Sequence, residues 1–528
     1  MIAEYNTLIL IYLIGLSSLI LISFFTYYFS NKYSLILDKK STSLIFSLSL
    51  TFYLLSILYL GFGKINALHH YVDFATHLEI LWRNSQGLGL RTVMSAEYHG
   101  GSHWFAAHFT PIIFLTYVPA FKIIPSPLVI PIFETLFLTS SLIPLWLISK
   151  RYLNKNLSRL LISAFLFYPT IFYINLYGTS YLELCIPLFF WLFYFFEERK
   201  NKMFILFLIL SLMVREEVAL VTCFFGIWMF IKKRYVLASV TVFLSVIYFY
   251  VVMFVIIPYY NGQNLHLASV LYKSYGDTYS EILINILFHP IDFLNKIISL
   301  PKIGNFVMMM IPLIFTPFLN LSVALIALPN LAITFLSDSI SHSSYILYYL
   351  SPSIPILFYA VITGINKLNE SRLVNKNALI YAILTASISA TVFFGATPIS
   401  IAFWNKNYEV GNFYTTNFHR SAYLEEDRDL AVKEIIKSIP DNAVISAEQH
   451  FLPLLYNKKK MSIFPDPGDD IEYVLIDRFN PKKTGGHKGT YSQFRENPEF
   501  FYQQYFENKD WIVIKENLGV ILFKKNNL

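Results

Sequence analysis

Long apolar runs separated by short basic loops dominate the chain. Runs near 6–29, 42–62, 126–149, 157–176, 181–197, 235–258, 344–366 and 377–397 approach or exceed the roughly 20 residues a helix needs to cross a bilayer. Two further segments, 203–231 and about 305–337, read as hairpins of two shorter arms each. The pattern predicts about twelve membrane helices, some of them short. The first hairpin is apolar except for Arg215, Glu216 and Glu217 near its middle. One charge at bilayer depth costs about 2.5–3.5 kcal/mol on insertion scales. Basic clusters at 199–202 and 232–234 bracket the segment and place both its ends on the cytoplasmic side. The first arm is too short to cross. A broken helical hairpin with a charged apex therefore predicts a polar cavity open to the other side.

Residues 105–124 are apolar but contain His108, Pro111, Pro119 and Lys122. A full crossing here would put Lys150, Arg151, Lys155 and Arg159 outside, so the segment reads as an interfacial or re-entrant helix on the outer face. After Pro398 charges become dense and apolar runs shorten. Strands are expected at 443–446, 460–464, 473–476, 511–515 and 519–523, and helices at 431–439 and 497–506. A Pro-Asp-Pro-Gly turn at 465–468 and a flexible loop at 484–486 separate them. The division is thus a transmembrane domain over 1–398 and a soluble α/β domain over 399–528.

Composition agrees. The chain has 528 residues, 55% of them hydrophobic, with 49 Phe and 37 Tyr, which marks a polytopic membrane protein. Five loops assigned to the cytoplasm hold 16 Lys+Arg and 4 Asp+Glu; the outer loops 63–104, 259–304 and 338–343 hold 6 and 7. This asymmetry places the N-terminus and everything after 398 outside, and it accounts for much of the net charge of +7 without a nucleic-acid partner. Cys185 and Cys223 both lie in apolar segments and suggest neither a disulfide framework nor a zinc site. The first apolar run lacks a small-residue cleavage site and reads as a retained helix.

Candidate chemistry concentrates in the first outer loop, with His69, His70, Asp73, His77, Glu79, Glu97, His99, His103 and His108. Residues 72–82 suit an amphipathic helix with Asp73 and His77 on one face. A carboxylate there is placed to take a proton from an attacking hydroxyl. Plainer roles compete with these. Asp73 suits a helix cap; Arg215 with Glu216 or Glu217 suits a structural ion pair; Glu183 and Glu134 suit hydrogen bonds between helices. An aromatic belt alone explains Tyr345 beside His342.

The words DFATHLEILW (73–82), HFTPIIFL (108–115), the run 125–153, REEVAL (215–220) and SHSSYILYYLSPSIPIL (341–357) occur in order along the chain. With IPDNAVISAEQHFLPLL, YVLID and LGVILFKK in the tail, they resemble an uncharacterised family of prokaryotic membrane proteins related to GT-C glycosyltransferases. The resemblance implies an α-helical, GT-C-like polytopic membrane domain with an extracytoplasmic α/β domain, in the cytoplasmic (inner) membrane of a prokaryote. It implies transfer of a sugar from a polyprenyl-phosphate donor to a glycan, lipid or protein acceptor, with Asp73 as base. Arg215, Glu216 and Glu217 match a charged apex that meets the carrier phosphate, and His108 matches a loop residue before the interfacial helix. His77, Glu183, His342 and Tyr345 complete the expected substrate contacts, with Tyr348 and Tyr349 as further groove-lining aromatics. Where many relatives have an arginine beside the acid, residues 177–183 have none. Some GT-C enzymes use a divalent cation, Mg or Mn; Asp73, Glu79 and Glu97 are the oxygen ligands available to one. A transporter or flippase of a lipid-linked or anionic substrate, and a non-catalytic scaffold for envelope assembly, are the rival readings. The enzyme reading requires Asp73 and the Arg215–Glu217 apex to meet across one outward-facing, polar-lined cavity with a lateral opening to lipid; their separation on opposite membrane faces would remove it.

Overall fold

The computed structural model describes residues 2–526 except 71, 93–101, 179, 263–266, 369–373, 409–417, 466–467, 479–493 and 495–496. Among the described residues six helices are long and apolar enough to cross a membrane: Leu13–Lys32, Lys39–Asn66, Val129–Tyr152, Tyr235–Tyr260, Thr316–Leu336 and Lys376–Phe394. Lys155–Leu166 and Pro169–Tyr177 form a seventh if the pair, bent by 48°, counts as one span. Pro169 opens the second half, where its missing N–H and its ring prevent a continuous ladder. The expected twelve therefore divide into six or seven of full length and several shorter apolar pieces.

The first hairpin forms as expected. Its arms are Asn201–Leu212 and Val218–Ile231, and the chain turns at 213–217. Twelve residues rise about 18 Å, well short of the roughly 30 Å hydrocarbon core. Gly226 lets the second arm lie close to Tyr235–Val251: a Cβ there would stand 2.7 Å from Val242 Cγ2. The second hairpin differs from its expected form. Leu300–Met310 is short, Ile314 and Phe315 take positive φ (44° and 56°), and Thr316–Leu336 is long enough to cross by itself. The run 344–366 is not one helix either. A 3-10 turn, Ile340–Ser343, precedes it, another, Tyr348–Leu350, lies near its start, and it becomes α-helical only at Ser353–Lys367. Pro352 and Pro355 lack the N–H donors that a longer helix would need. Residues 105–124 form short pieces, Pro111–Leu115 and Tyr117–Ile123, again too short to cross.

The tail carries a five-stranded sheet in which, counted along the chain, the second strand is at one edge, followed by the first, third, fifth and fourth. The strands are β1 (Val444–Ala447), β2 (Lys460–Ile463), β3 (Tyr473–Asp477), β4 (Trp511–Asn517) and β5 (Val520–Lys525). β1 runs parallel to β2 and β3, while β5 is antiparallel to β3 and β4. Every residue of β3 is buried, as an uninterrupted apolar strand covered on both faces requires. Leu518 and Gly519, with φ of 50° and 79°, close the β4–β5 hairpin in a two-residue turn. Helices Asp427–Lys437 and Pro498–Glu507 complete the module.

Candidate functional site

Five parts of the chain meet at one cavity of about 50 Å³. Asp73, Thr76 and His77 come from the loop helix Val72–Ser85, and Trp104 and His108 from the turns that follow it. Tyr177 and Ser180 come from the end of the bent pair, Arg215 from the hairpin apex and Tyr348 from its 3-10 turn. The charged elbow and the loop carboxylate thus border the same space.

Asp73 stands in the first turn of its helix, where the free N–H groups favour an anion. The Tyr177 hydroxyl donates to Asp73 Oδ2 at 2.7 Å. His77, one turn on, packs edge-on to Trp104 and Tyr181 at 5.0 and 4.7 Å. The position of Tyr177 is itself determined. Buried Lys64 donates from Nζ to the Leu176 carbonyl at 2.6 Å, at the end of helix Pro169–Tyr177. Gly178 then takes φ 97°, and a Cβ there would lie 2.8 Å from Phe74 Cδ2 on the loop helix.

At the apex, Arg215 Nη2 lies 2.8 Å from His108 Nε2, and Arg215 Nε lies 3.1 Å from Glu217 Oε2 and 3.8 Å from Glu216 Oε1. His108 Nδ1 is 2.8 Å from Glu216 Oε1, whose other oxygen accepts from the Phe109 N–H at 3.1 Å. An arginine only donates, so His108 Nε2 must accept. The ring proton is therefore on Nδ1 and is donated to Glu216. This network makes His108 a neutral bridge with one defined tautomer.

Tyr348 joins the two halves. Its ring lies 4.7 Å from that of Tyr177, 4.2 Å from that of Tyr349, and 5.9 Å from the Arg215 guanidinium. His342 packs on Tyr349 at 4.1 Å. Burial, with Arg215 nearby, pushes the His342 pKa down to about 4, so it is neutral near pH 7.

Of the residues singled out from sequence, Asp73, His77, His108 and Arg215 line the cavity, and Glu216 and Glu217 hold Arg215 and His108. Glu183 lies deeper. Its carboxylate accepts from Tyr117 Oη at 2.9 Å and from Ser180 N and Oγ at 3.2 and 3.0 Å. It thereby secures the turn leading to Tyr181, whose φ is 65°. Tyr345 is fully buried against Tyr173 at 5.8 Å, whereas Tyr348, named with it as a groove-lining aromatic, stands in the wall. Tyr177, Trp104 and Lys64 carry no sequence signal beyond an aromatic or a lysine near a helix end.

Of the oxygen ligands considered for a divalent cation, Asp73 and Glu79 are described and have different partners. Glu79 Oε1 accepts from Arg83 at 2.7 Å and Oε2 from Thr92 at 2.7 Å, while Glu97 and His99 fall outside the described residues. Among the described residues no group of three His, Cys, Asp or Glu is arranged to hold a metal ion.

The model of one family, predicted membrane protein (DUF2079), matches residues 70–522, which include every residue of the cavity. The chain belongs to this DUF2079 family. Among solved structures, the fold is similar to ArnT from Cupriavidus metallidurans bound to undecaprenyl phosphate. That match has a TM-score of 0.52 at 8% identity and covers 92% of this chain and 98% of that one. The apo state of the same protein aligns at a TM-score of 0.49 and 9% identity, over 91% and 97% of the two chains. No curated protein matches in sequence. At such low identity the likeness shows the fold alone: this DUF2079 chain has an ArnT-like fold.

Proposed function

We propose that this DUF2079 protein transfers a sugar from a polyprenyl-phosphate donor to an acceptor hydroxyl at the outer face of a prokaryotic inner membrane. The observation that carries the reading is that Asp73 and Arg215 border one cavity in an ArnT-like fold. The undecaprenyl phosphate bound by ArnT supports a polyprenyl-phosphate carrier here. The Lys+Arg asymmetry of the loops supports an extracytoplasmic site and tail, with 1–398 as the membrane domain and 399–528 as the soluble one.

In this reading the acceptor oxygen attacks the anomeric carbon of the sugar. The bond from that carbon to the phosphate oxygen breaks, and its electron pair stays with the phosphate. The acceptor's proton passes to Asp73, which Tyr177 orients. The sugar gains oxocarbenium character in the transition state. Arg215, aligned by Glu217 and His108, stabilises the charge growing on the departing phosphate. A single displacement of this kind inverts the anomeric centre.

Asp73→Asn tests the proposal. The variant is expected at normal abundance with transfer reduced by about 10²–10⁴-fold, the range of general-base catalysis. Mass spectrometry of the strain's lipids should then find a sugar-loaded polyprenyl phosphate accumulating. Unchanged glycans and lipids would overturn the reading and favour a transporter or scaffold.

A further inference from the structure

The loop helix presents three faces to three different surroundings. Asp73, Thr76 and His77 border the cavity. Phe74, Leu78 and Leu81 belong to the membrane-domain core. Val72 and Ala75, with Leu68 just before the helix, belong instead to the apolar core of the C-terminal sheet module, together with Ile435, Phe451, Leu452 and Leu455. At about 100° per residue these sets occupy separate arcs of one short helix.

Polar contacts reinforce the third face. Arg83, near the end of the helix, donates from Nη2 to the Lys459 carbonyl at 2.8 Å, directly before β2. Its Nε is held by Glu79 Oε1 at 2.7 Å, and Glu79 is in turn bound to Thr92 at 2.7 Å. Close by, Tyr456 donates to the Pro125 carbonyl at 3.4 Å and packs edge-on to Phe121. A fourteen-residue helix is marginal alone in water and takes its order from what it packs against.

We propose that the C-terminal module is a positioning element for the candidate base. The turn Gln449–Leu454 and the segment leading into β2 grip the loop helix, so that Asp73 faces Tyr177 and the cavity. Arg83 and Leu452 are its positioning residues. The proposal rests on the reading of Asp73 as base, and it assigns the module a task in the reaction as well as its own fold.

The test uses the full-length protein in nanodiscs, with Arg83→Gln, Leu452→Ala and Arg83→Lys. Hydrogen exchange in residues 72–85 is expected to rise about tenfold in the first two variants, while both hairpin arms keep their protection. Binding of undecaprenyl phosphate should not change. Turnover, measured as release of undecaprenyl phosphate from lipids extracted from the Asp73→Asn strain, should fall about tenfold in kcat with KM unchanged. Arg83→Lys keeps a donor for the Lys459 carbonyl and should recover most of the loss. Unchanged exchange at 72–85 in Arg83→Gln overturns the proposal; so does a uniform rise across sheet and hairpin, which would mean general destabilisation. An inactive Asp73→Asn beside a fully active Arg83→Gln removes the positioning role alone. An active Asp73→Asn removes the assignment of the base and leaves the exchange result to stand independently.

Discussion

At Arg215 the cost of burying charge and the proposed chemical use of that charge meet in one side chain. With Glu216 and Glu217 beside it, the guanidinium is nine-tenths or more removed from solvent. Arg215→Ala would leave two carboxylates without their cation, a loss of about 3–5 kcal/mol for a broken buried pair. Immunoblotting should therefore find little of that variant in the membrane. Arg215→Lys keeps the charge but not the planar fork that spans His108 and Glu217. It should accumulate normally and transfer sugar about 10²-fold more slowly, a split that abundance and turnover assays resolve. Tyr177→Phe removes a single oxygen. Asp73 then loses its oriented donor, and kcat should fall about tenfold with little change in melting temperature. Arg215 was legible in the sequence because charge inside an apolar run demands an explanation. Tyr177 was not, because a tyrosine at the end of a membrane helix has an ordinary reason to be there.

Elements bring these residues together through their ends and breaks. Apolar length and flanking basic clusters sufficed to locate the hairpin 203–231 and its apex. The breaks at Tyr168–Pro169 and before Ser353 depend on proline and on packing, and a hydropathy window passes over both. The second break matters chemically. Its 3-10 turns bring Tyr348 to the cavity wall and leave Tyr345 buried, although both were expected to line a groove. The turn after Tyr177 offers an element-scale test. Gly178→Ala forces a side chain into a left-handed conformation and against Phe74. The conformation alone costs roughly 1–2 kcal/mol. The collision displaces the two segments that carry Tyr177 and Asp73. Melting temperature and turnover should fall together in this variant, whereas Tyr177→Phe affects turnover alone.

For the whole molecule, the positioning role proposed for the C-terminal module would make the candidate site sensitive to a distant carboxyl. Glu448 follows β1, and its Oε1 accepts from the Asp477 N–H at 2.7 Å and from Tyr502 Oη at 2.8 Å. His450 stands 3.9 Å from Glu448 and 3.6 Å from Asp477, and Arg428 lies 3.4 Å from Asp477. Burial, reinforced by the Asp477 charge, raises the Glu448 pKa to about 8. In the unfolded chain the same acid titrates near 4.3. Stability from the neutral acid is thus complete below the unfolded value and is lost as pH rises toward about 8. Exchange in β1 and β3, corrected for its intrinsic pH dependence, should be faster at pH 8.5 than at pH 5.5, and Glu448→Gln should flatten that difference. Because the turn after Glu448 packs on the loop helix, wild-type turnover should decline over the same interval.

The sequence by itself determined that this is a many-helix membrane protein with charges at the elbow of an apolar hairpin, a histidine-rich loop bearing Asp73, and an α/β tail. Hydropathy, charge bias and side-chain period are local properties, and each is readable along the chain. Tertiary structure alone decided that Asp73 faces Tyr177, that His108 bridges Arg215 and Glu216, that Glu183 supports a turn away from the cavity wall, and that the tail grips the loop helix. Those contacts join residues about 100 to nearly 380 positions apart, except within the Glu183 turn, and depend on packing angles that no local pattern encodes.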